Sequence, residues 1–242
     1  MNPAIYQKTL EMLKTETGSG KRLLDASCGD GSSSLGYREL EYEVTPTNYD
    51  PRSFRIKDMT CLQVDLNQPW PFEDHKFDVI VLQEVIEHLE NIPFVFREVK
   101  RLLRPGGVLI FSTPNMLNWF SRLRYLATGF YRGRQKPLSV FKPPGNAPNW
   151  HILPFHVYHW ICYHYGLKIE KVLSVRRGWQ WHIFLVGLLF YPLSALYTYI
   201  WWVLMEKDAR QRGYNRDLWR FLYSNELLLS NNMVIKVRKQ PD

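Results

Sequence analysis

The chain of 242 residues has few cysteines, three in all. An odd and small number of cysteines does not suit a disulfide scaffold and favours a reducing compartment. The sequence also lacks internal repeats and low-complexity linkers. The charged stretch from Met1 to Lys14 has no apolar core of the kind a signal peptide needs. These absences predict a single domain over residues 1–242, located in the cytoplasm.

Acidic residues are scarcer than basic ones, with 23 Asp and Glu against 31 Lys and Arg, and the formal net charge is +8. A surplus of positive charge predicts an anionic partner, either a nucleic acid or an anionic membrane surface.

The most informative segment runs from Leu23 to Gly31, where an apolar strand ends in a small, glycine-bearing turn. Asp50 follows about one βαβ unit later. Such a turn lets the backbone approach a ligand closely, and the later acid can accept hydrogen bonds from a ribose diol. The pattern predicts a nucleotide-like ligand.

Apolar strands alternate with helical segments along the rest of the core. We predict further strands at 44–49, 64–66, 77–82, 108–112, 168–173 and 233–237, and helices over 4–14 and from Asn91 to Leu103. Arg104–Gly107 should stop the second helix. Alternation of this kind predicts an α/β fold with a doubly wound, seven-stranded, mostly parallel sheet.

Over residues 20–115 the sequence resembles the class I S-adenosylmethionine-dependent methyltransferases. The motifs that carry the resemblance occur in the family's order and spacing: Asp25–Gly31, Tyr49-Asp50, Val64-Asp65-Leu66, Phe77–Ile80, Glu87-His88-Leu89, Leu103–Gly107 and Ser112–Asn115. One departure is Ser27, which stands where the family usually has its first glycine.

The resemblance implies a Rossmann-like fold and S-adenosylmethionine as the methyl donor. It implies that Asp50 binds both ribose hydroxyls, that Asp65 and the Leu66 backbone read the adenine, and that Gly29 and Gly31 admit the methionine end. The full set of implied donor-binding residues is Asp25, Ser27, Cys28, Gly29, Gly31, Asp50, Asp65, Leu66 and Gln83.

Two long segments fall outside the core pattern. Residues 116–150 are basic and aromatic, and residues 178–225 contain Ile183–Met205, which carries no charge. By length this run could span a membrane. Strands six and seven flank it and should belong to one sheet, which argues against a single span. We therefore expect a membrane-interfacial helical insertion between strands six and seven. The alternative is a helical pair packed on the domain or at a dimer interface.

Glu84, Glu87 and His88 follow strand four with helical spacing, and His151 comes later. The pattern resembles the metal site of small-RNA 2′-O-methyltransferases, so these four residues are candidate ligands for a divalent ion such as Mg²⁺. His88 or His151 is also a candidate general base. The alternative is that the glutamates merely suit the start of a helix.

We expect an enzyme that O-methylates a lipid or lipid-linked saccharide on the cytoplasmic face of a membrane. One alternative is an RNA 2′-O-methyltransferase or a soluble quinone or small-metabolite O-methyltransferase. Another is a non-catalytic, membrane-associated protein that binds S-adenosylmethionine.

Overall fold

A computed structural model describes residues 2–16, 19–131, 151–175 and 191–241. Its strands are β1 Arg22–Ala26, β2 Glu43–Asn48, β3 Leu62–Gln63, β4 Phe77–Leu82, β5 Leu103–Pro114, β6 Leu167–Val175 and β7 Asn232–Lys239. Its helices are α1 Pro3–Leu13, α2 Ser32–Glu39, α3 Ile92–Leu102, α4 Trp119–Thr128, α5 Phe155–His164, α6 at residues 191–199, α7 Ala209–Leu222 and α8 Asn225–Leu228. The α6 helix continues into a π-helical stretch, Ile200–Leu204, and two 3-10 turns lie at Pro51–Ser53 and Ile86–His88.

The seven strands form one sheet in the order β3-β2-β1-β4-β5-β7-β6. The pairings among β1 to β5 are parallel, whereas β7 runs antiparallel to both β5 and β6. This topology confirms the predicted mostly parallel, Rossmann-like sheet with a helical insertion between β6 and β7. Because β1 to β6 all point the same way, their carboxyl ends meet at one edge, where ligands bind in such folds.

Helices cover both faces of the sheet, and α3 shows how the sequence produces this. Asn91 caps its first turn by accepting a hydrogen bond from the Phe94 N–H, and a proline follows at a position that suits helix starts. Its apolar residues recur at helical spacing and are buried against the sheet: Ile92, Val95, Phe96, Val99 and Leu102. On the opposite face, α1 and α2 bury a second apolar cluster.

Three boundaries differ from the prediction. The third strand is Leu62–Gln63 rather than residues 64–66. The helix before Arg104–Gly107 ends at Leu102, as predicted to within one residue, but the fifth strand was predicted at 108–112 and β5 already begins at Leu103, with a register shift between Phe77 and Val79 of β4. Glu84 was predicted to share a helical face with Glu87 and His88. Its φ of 52° excludes it from a helix, and only Ile86–His88 form a 3-10 turn.

The two predicted insertions are described in part. Within 116–150, α4 is described and residues 132–150 lie outside the described ranges. Within 178–225, residues 178–190 lie outside them, which includes the start of the uncharged run Ile183–Met205. Residues 191–225 are mostly helical. Among the helices that are described, none combines the length and apolarity needed to cross a bilayer.

Candidate active site

The turn after β1 is built from residues in the left-handed region. Ser27, Gly29 and Gly31 have φ values of 79°, 57° and 89°. Glycine adopts this conformation freely, whereas serine does so at a cost of about 1–2 kcal/mol. The backbone N–H groups of Ser27 and Cys28 both donate to the Thr47 carbonyl, at 3.0 and 2.9 Å, and so fasten the turn to β2. Ser27, which stands where the related family usually has its first glycine, therefore adopts the conformation that the turn requires, at the cost of some backbone strain.

The two glycines of the turn have different surroundings. No heavy atom lies within 4 Å of the position that a Cβ on Gly29 would take, so its backbone faces open space. A Cβ on Gly31 would instead lie 2.5 Å from the Phe54 ring and 2.7 Å from Ile56. Gly29 thus leaves room for a closely approaching ligand, and its predicted contact with the donor stays a prediction. Gly31 has no such room, because Phe54 and Ile56 already cover the side on which a Cβ would lie.

Asp25 lies beneath this turn and is buried. Its Oδ2 accepts hydrogen bonds from the hydroxyls of Ser33 and Ser34, at 3.1 and 2.6 Å, in the first turn of α2. Burial raises the pKa of Asp25 to about 6, and the two serine hydroxyls oppose this shift. Asp25 therefore holds the start of α2 against β1 and positions the turn formed by Ser27–Gly31, which we call the donor turn.

The predicted ribose acid, Asp50, lies two residues beyond β2 and caps the 3-10 turn that follows. Its carboxylate binds the Arg52 guanidinium through two contacts of 2.8 and 2.9 Å, and these hydrogen bonds lower the pKa of Asp50. The last residue of β2 is Asn48, whose Nδ2 donates to the Gly29 carbonyl at 3.1 Å. A ribose that binds the Asp50 carboxylate would have to displace the exposed Arg52 guanidinium from the same two oxygens.

The remaining predicted donor residues lie around the same edge. Asp65 caps a turn by accepting from the Asn67 N–H at 2.9 Å, and Leu66 beside it is buried. Gln83, directly after β4, accepts a hydrogen bond from the Tyr37 hydroxyl at 3.1 Å. Cys28 is buried within the turn, with its Sγ 3.6 Å from that of Cys61. Their contacts with the donor stay predictions, but their placement at the carboxyl edge agrees with that role.

A cavity of about 270 Å³ opens at the carboxyl ends of β4 and β5. Its lining comes from α1, the segment after β4, the end of β5 and the start of β7: Ile5, Glu84, Glu87, His88, Ser112, Thr113, Pro114 and Asn232. Two buried polar atoms here, Glu87 Oε2 and His88 Nδ1, have no hydrogen-bond partner among the residues that the structure describes. Unpaired buried polar atoms are costly, and their occurrence in a cavity indicates a place for a polar ligand group.

Glu87 is a buried acid of this cavity, and its pKa is raised. Its side chain is only 5% exposed, and burial raises its pKa to about 7. A carboxyl group that titrates near neutrality beside an acceptor cavity suits proton transfer. Glu84 also lines the cavity, and its Oε2 accepts a 2.8 Å hydrogen bond from the Asn2 backbone N–H at the start of α1.

The predicted metal site of Glu84, Glu87, His88 and His151 is not formed. No group of three or more His, Cys, Asp or Glu side chains within the described ranges is arranged to hold a metal ion. Glu84 is turned toward α1, and the His151 Nδ1 lies 2.8 Å from the Leu89 carbonyl oxygen. Because a carbonyl oxygen only accepts, this nitrogen carries the proton and faces the backbone.

The two predicted catalytic histidines are therefore placed differently. His88 lines the cavity, whereas His151 is outside its lining and is fastened to the same turn by its N–H, which donates to the Glu87 carbonyl at 3.2 Å. Sequence reasoning missed Thr113 and Asn232 as lining residues. Thr113 lies in the Ser112–Asn115 motif, so the sequence offered a signal for it. Asn232 lies at the cavity because β7 pairs with β5, which the local sequence does not show.

Comparison with known protein families identifies the family of this chain. Residues 2–171 match the family described as methyltransferase domain. The chain belongs to this family. This family agrees with S-adenosylmethionine as the expected donor, and the open backbone at Gly29, with two acids beyond β2 and β3, is compatible with it.

Curated relatives cover part of this methyltransferase. A probable S-adenosylmethionine-dependent methyltransferase of Mycolicibacterium smegmatis is 31% identical over 51% of this chain and 45% of its own. A probable phthiotriol/phenolphthiotriol dimycocerosates methyltransferase 2 of Mycobacterium ulcerans is 32% identical over 39% and 40%. A ubiquinone biosynthesis O-methyltransferase of Bordetella avium is 28% identical over 46% and 51%. The chain spans about half of these relatives or less.

A solved structure, an S-adenosylmethionine-dependent methyltransferase from Mesorhizobium loti, superposes on the methyltransferase with a TM-score of 0.57. It covers 97% of both chains at 15% identity. At this identity the likeness concerns the fold alone.

Proposed function

We propose that this methyltransferase O-methylates a lipid or lipid-linked saccharide precursor at the cytoplasmic surface of a membrane. The observation that carries the proposal is the exposed apolar face of α6 and its π-helical continuation. Large apolar side chains on a protein surface in a continuous stripe mark a contact with a partner or a membrane.

The stripe follows helical spacing. Its members are exposed and recur every three or four residues: Leu193, Leu196, Tyr197, Ile200, Trp201 and Leu204. A helix that lies in the plane of a membrane interface buries such a face among lipid chains, with aromatic residues at the headgroup level. Each side chain that leaves water contributes on the order of 1 kcal/mol to binding.

The opposite face of α6 is fixed to the protein by polar contacts. The Trp219 indole donates to the Ala195 carbonyl at 3.1 Å, and the Ser194 and Tyr223 hydroxyls lie 2.9 Å apart. The side chain of Asn215 also donates to the Trp202 carbonyl at 2.6 Å. With its polar side held by α7 and its neighbours, the helix presents its apolar side outward.

Basic residues stand next to the stripe. Lys207, Arg210, Arg216 and Arg220 are exposed, and the last two border a shallow pocket that also includes Leu196 of the stripe. Arginine and lysine beside an apolar face bind anionic headgroups, each worth about 1 kcal/mol near a charged surface. This arrangement supports an anionic membrane as the partner that the net charge suggests.

The end of β5 is joined by hydrogen bonds to the segment that follows the insertion. The side-chain amide of Asn115, directly after β5, donates to the Leu227 and Ser230 carbonyls at 2.6 and 3.2 Å. The chain then enters β7 at Asn232, which lines the cavity. The segment that follows the apolar insertion therefore leads directly to the cavity, and an acceptor held in a lipid layer would reach the cavity from this side.

The donor supplies an electrophilic methyl group, so this chain has mainly to align the acceptor and to remove its proton. Glu87, with its unpaired oxygen and raised pKa, is placed to take a hydroxyl proton, with His88 beside it. The names of two relatives, a dimycocerosates methyltransferase and a ubiquinone-biosynthesis O-methyltransferase, are compatible with an apolar acceptor. The RNA alternative keeps the support of the basic arginines, but the metal cluster that also supported it is not formed among the described residues.

The test combines vesicle flotation with methyl transfer to extracted lipids. Trp201 and Trp160 are equally exposed, at 55%, but only Trp201 lies in the stripe. We expect Trp201→Gln to weaken flotation with anionic vesicles and transfer from labelled donor to lipid, and Trp160→Gln to change neither. Flotation that is absent in the wild type, with transfer to a water-soluble quinone precursor, would replace the proposal with the soluble O-methyltransferase.

A further inference from the structure

Two cysteines meet at the donor turn. Cys28 lies between Ser27 and Gly29 and is almost fully buried, while Cys61 directly precedes β3 and is partly exposed. Their Sγ atoms are 3.6 Å apart, although 33 positions separate them in the sequence. The donor-site assignments discussed above give Cys61 no role.

Cys61 ends a segment that covers the donor turn. We call residues 50–61 the strap. Besides the contacts of Phe54 and Ile56 on Gly31, the Arg55 N–H donates to the Asp30 carbonyl at 3.0 Å. The Ser53 hydroxyl also donates to the Gly29 carbonyl at 3.2 Å. The strap and the turn thus lie against each other along their length, and the strap begins with the predicted ribose acid Asp50.

We propose that peroxide joins Cys28 and Cys61 in a disulfide that lowers the affinity of the methyltransferase for S-adenosylmethionine. Hydrogen peroxide first oxidises the Cys61 thiol to a sulfenic acid and leaves as water. The Cys28 sulfur then attacks the Cys61 sulfur, and the sulfenic oxygen departs as a second water with the Cys28 proton. Two thiols lose two electrons and two hydrogens, and one peroxide is reduced to two waters.

The bond requires the two sulfurs to approach, by rotation of the side chains, by a shift of the turn or the strap, or by both. A disulfide has an S–S length of about 2.05 Å, so the two sulfurs must approach by roughly 1.5 Å. Cys28 stands between two residues in the left-handed region, Ser27 and Gly29, in a turn with little freedom to adjust. Any shift of the Cys28 backbone is therefore transmitted to Gly29, the position where the backbone leaves room for the donor.

The surroundings make the pair slow to react. Burial raises the pKa of both thiols, so the reactive thiolate is scarce. The pair then stays reduced during brief exposure and closes under sustained peroxide. Cys162, the third cysteine, is buried in the cluster around α5, which makes it a suitable control.

The experiment compares donor affinity by calorimetry for reduced, peroxide-treated and dithiothreitol-recovered protein, with peptide mapping by mass spectrometry. We expect a mapped Cys28–Cys61 peptide, an affinity at least about tenfold lower after peroxide, and full recovery on reduction. Cys162→Ser should respond like the wild type. Cys61→Ser should bind donor normally and keep that affinity after peroxide.

A mapped disulfide with unchanged donor affinity would overturn the proposal, as would an equal loss of affinity in Cys61→Ser. Failure to form the disulfide under peroxide that oxidises the methionines would also overturn it. Because the readout is donor binding alone, the result does not depend on whether the acceptor is a lipid.

Discussion

Replacement of Glu87 by glutamine should make the protein more stable, and more so as the pH rises. Burial raises the pKa of Glu87 from the ordinary 4.5 to about 7 in the folded protein. Between these values the unfolded chain releases the proton and the folded protein retains it, so rising pH favours unfolding. Glutamine has nearly the same shape and does not ionise.

The size of the effect follows from the two pKa values. Each unit of difference corresponds to about 1.4 kcal/mol, which gives a full penalty of about 3 kcal/mol above the folded-state pKa. The advantage of Glu87→Gln in free energy of unfolding should therefore be under about 1 kcal/mol at pH 5 and about 3 kcal/mol at pH 8. Asp25 titrates in the same range but is present in both proteins, so its contribution cancels.

Urea unfolding at pH 5 and pH 8 measures the difference. Glu90→Gln is the matched control, because the Glu90 side chain is exposed and stays in water on folding. An equal advantage at both pH values, or none at pH 8, would show that Glu87 ionises as readily in the folded protein as in the unfolded chain. The same variant should lose methyl transfer while it keeps donor binding, since its role is to accept a proton.

Three further predictions concern Asp50, the turn after β1, and two glycines in helices. Asp50→Ala should weaken donor binding by at least about 100-fold in calorimetry, because two charge-assisted hydrogen bonds to the ribose are lost, and should leave the domain folded; unchanged affinity would refute the assignment. Ser27→Gly should raise the free energy of unfolding by about 0.5 kcal/mol, since relief of left-handed strain exceeds the entropic cost of glycine; a loss of stability would contradict it. Gly36→Ala should destabilise by about 1–3 kcal/mol because its Cβ would lie 1.7 Å from the Tyr6 hydroxyl oxygen, whereas Gly213→Ala, in open space on α7, should stabilise by up to about 1 kcal/mol; equal effects in the two glycine variants would contradict the Tyr6 contact.

Much of the sheet is predictable from sequence because its strands are buried on both faces. The run Phe77–Leu82, apolar apart from Asp78, has the length and composition of a buried strand, and the family motifs give the order of the strands around it. Glu84 shows the limit of local pattern. Its N–H donates to the Ser112 hydroxyl at 2.8 Å, a contact across 28 residues that sets its backbone outside any helix. Helical spacing therefore did not predict that Glu84 turns toward α1, away from the proposed metal ligands.

The apolar insertion shows a second limit. An uncharged run in the sequence indicates contact with something apolar, but it does not say which face points outward. The answer depends on polar groups such as Ser194 and Thr198, which bind the Tyr223 hydroxyl at 2.9 and 3.0 Å. These are tertiary contacts with a helix about 25 residues later, and helical periodicity alone does not contain them. The same holds for Cys28 and Cys61, which only the folded turn brings together.

The position of β7 has a consequence for synthesis on the ribosome. This strand lies between β5 and β6, and Val108 pairs with Arg238, 130 residues later. Until β7 emerges, β5 and β6 have no strand between them, and neither the sheet nor the acceptor cavity can close. The apolar stripe of α6 leaves the ribosome before that moment. A nascent chain therefore exposes two aggregation-prone surfaces at the same time, the unpaired edge of β5 and the apolar stripe of α6. Early binding to a lipid surface would cover the stripe while the edge of β5 stays unpaired until β7 is synthesised.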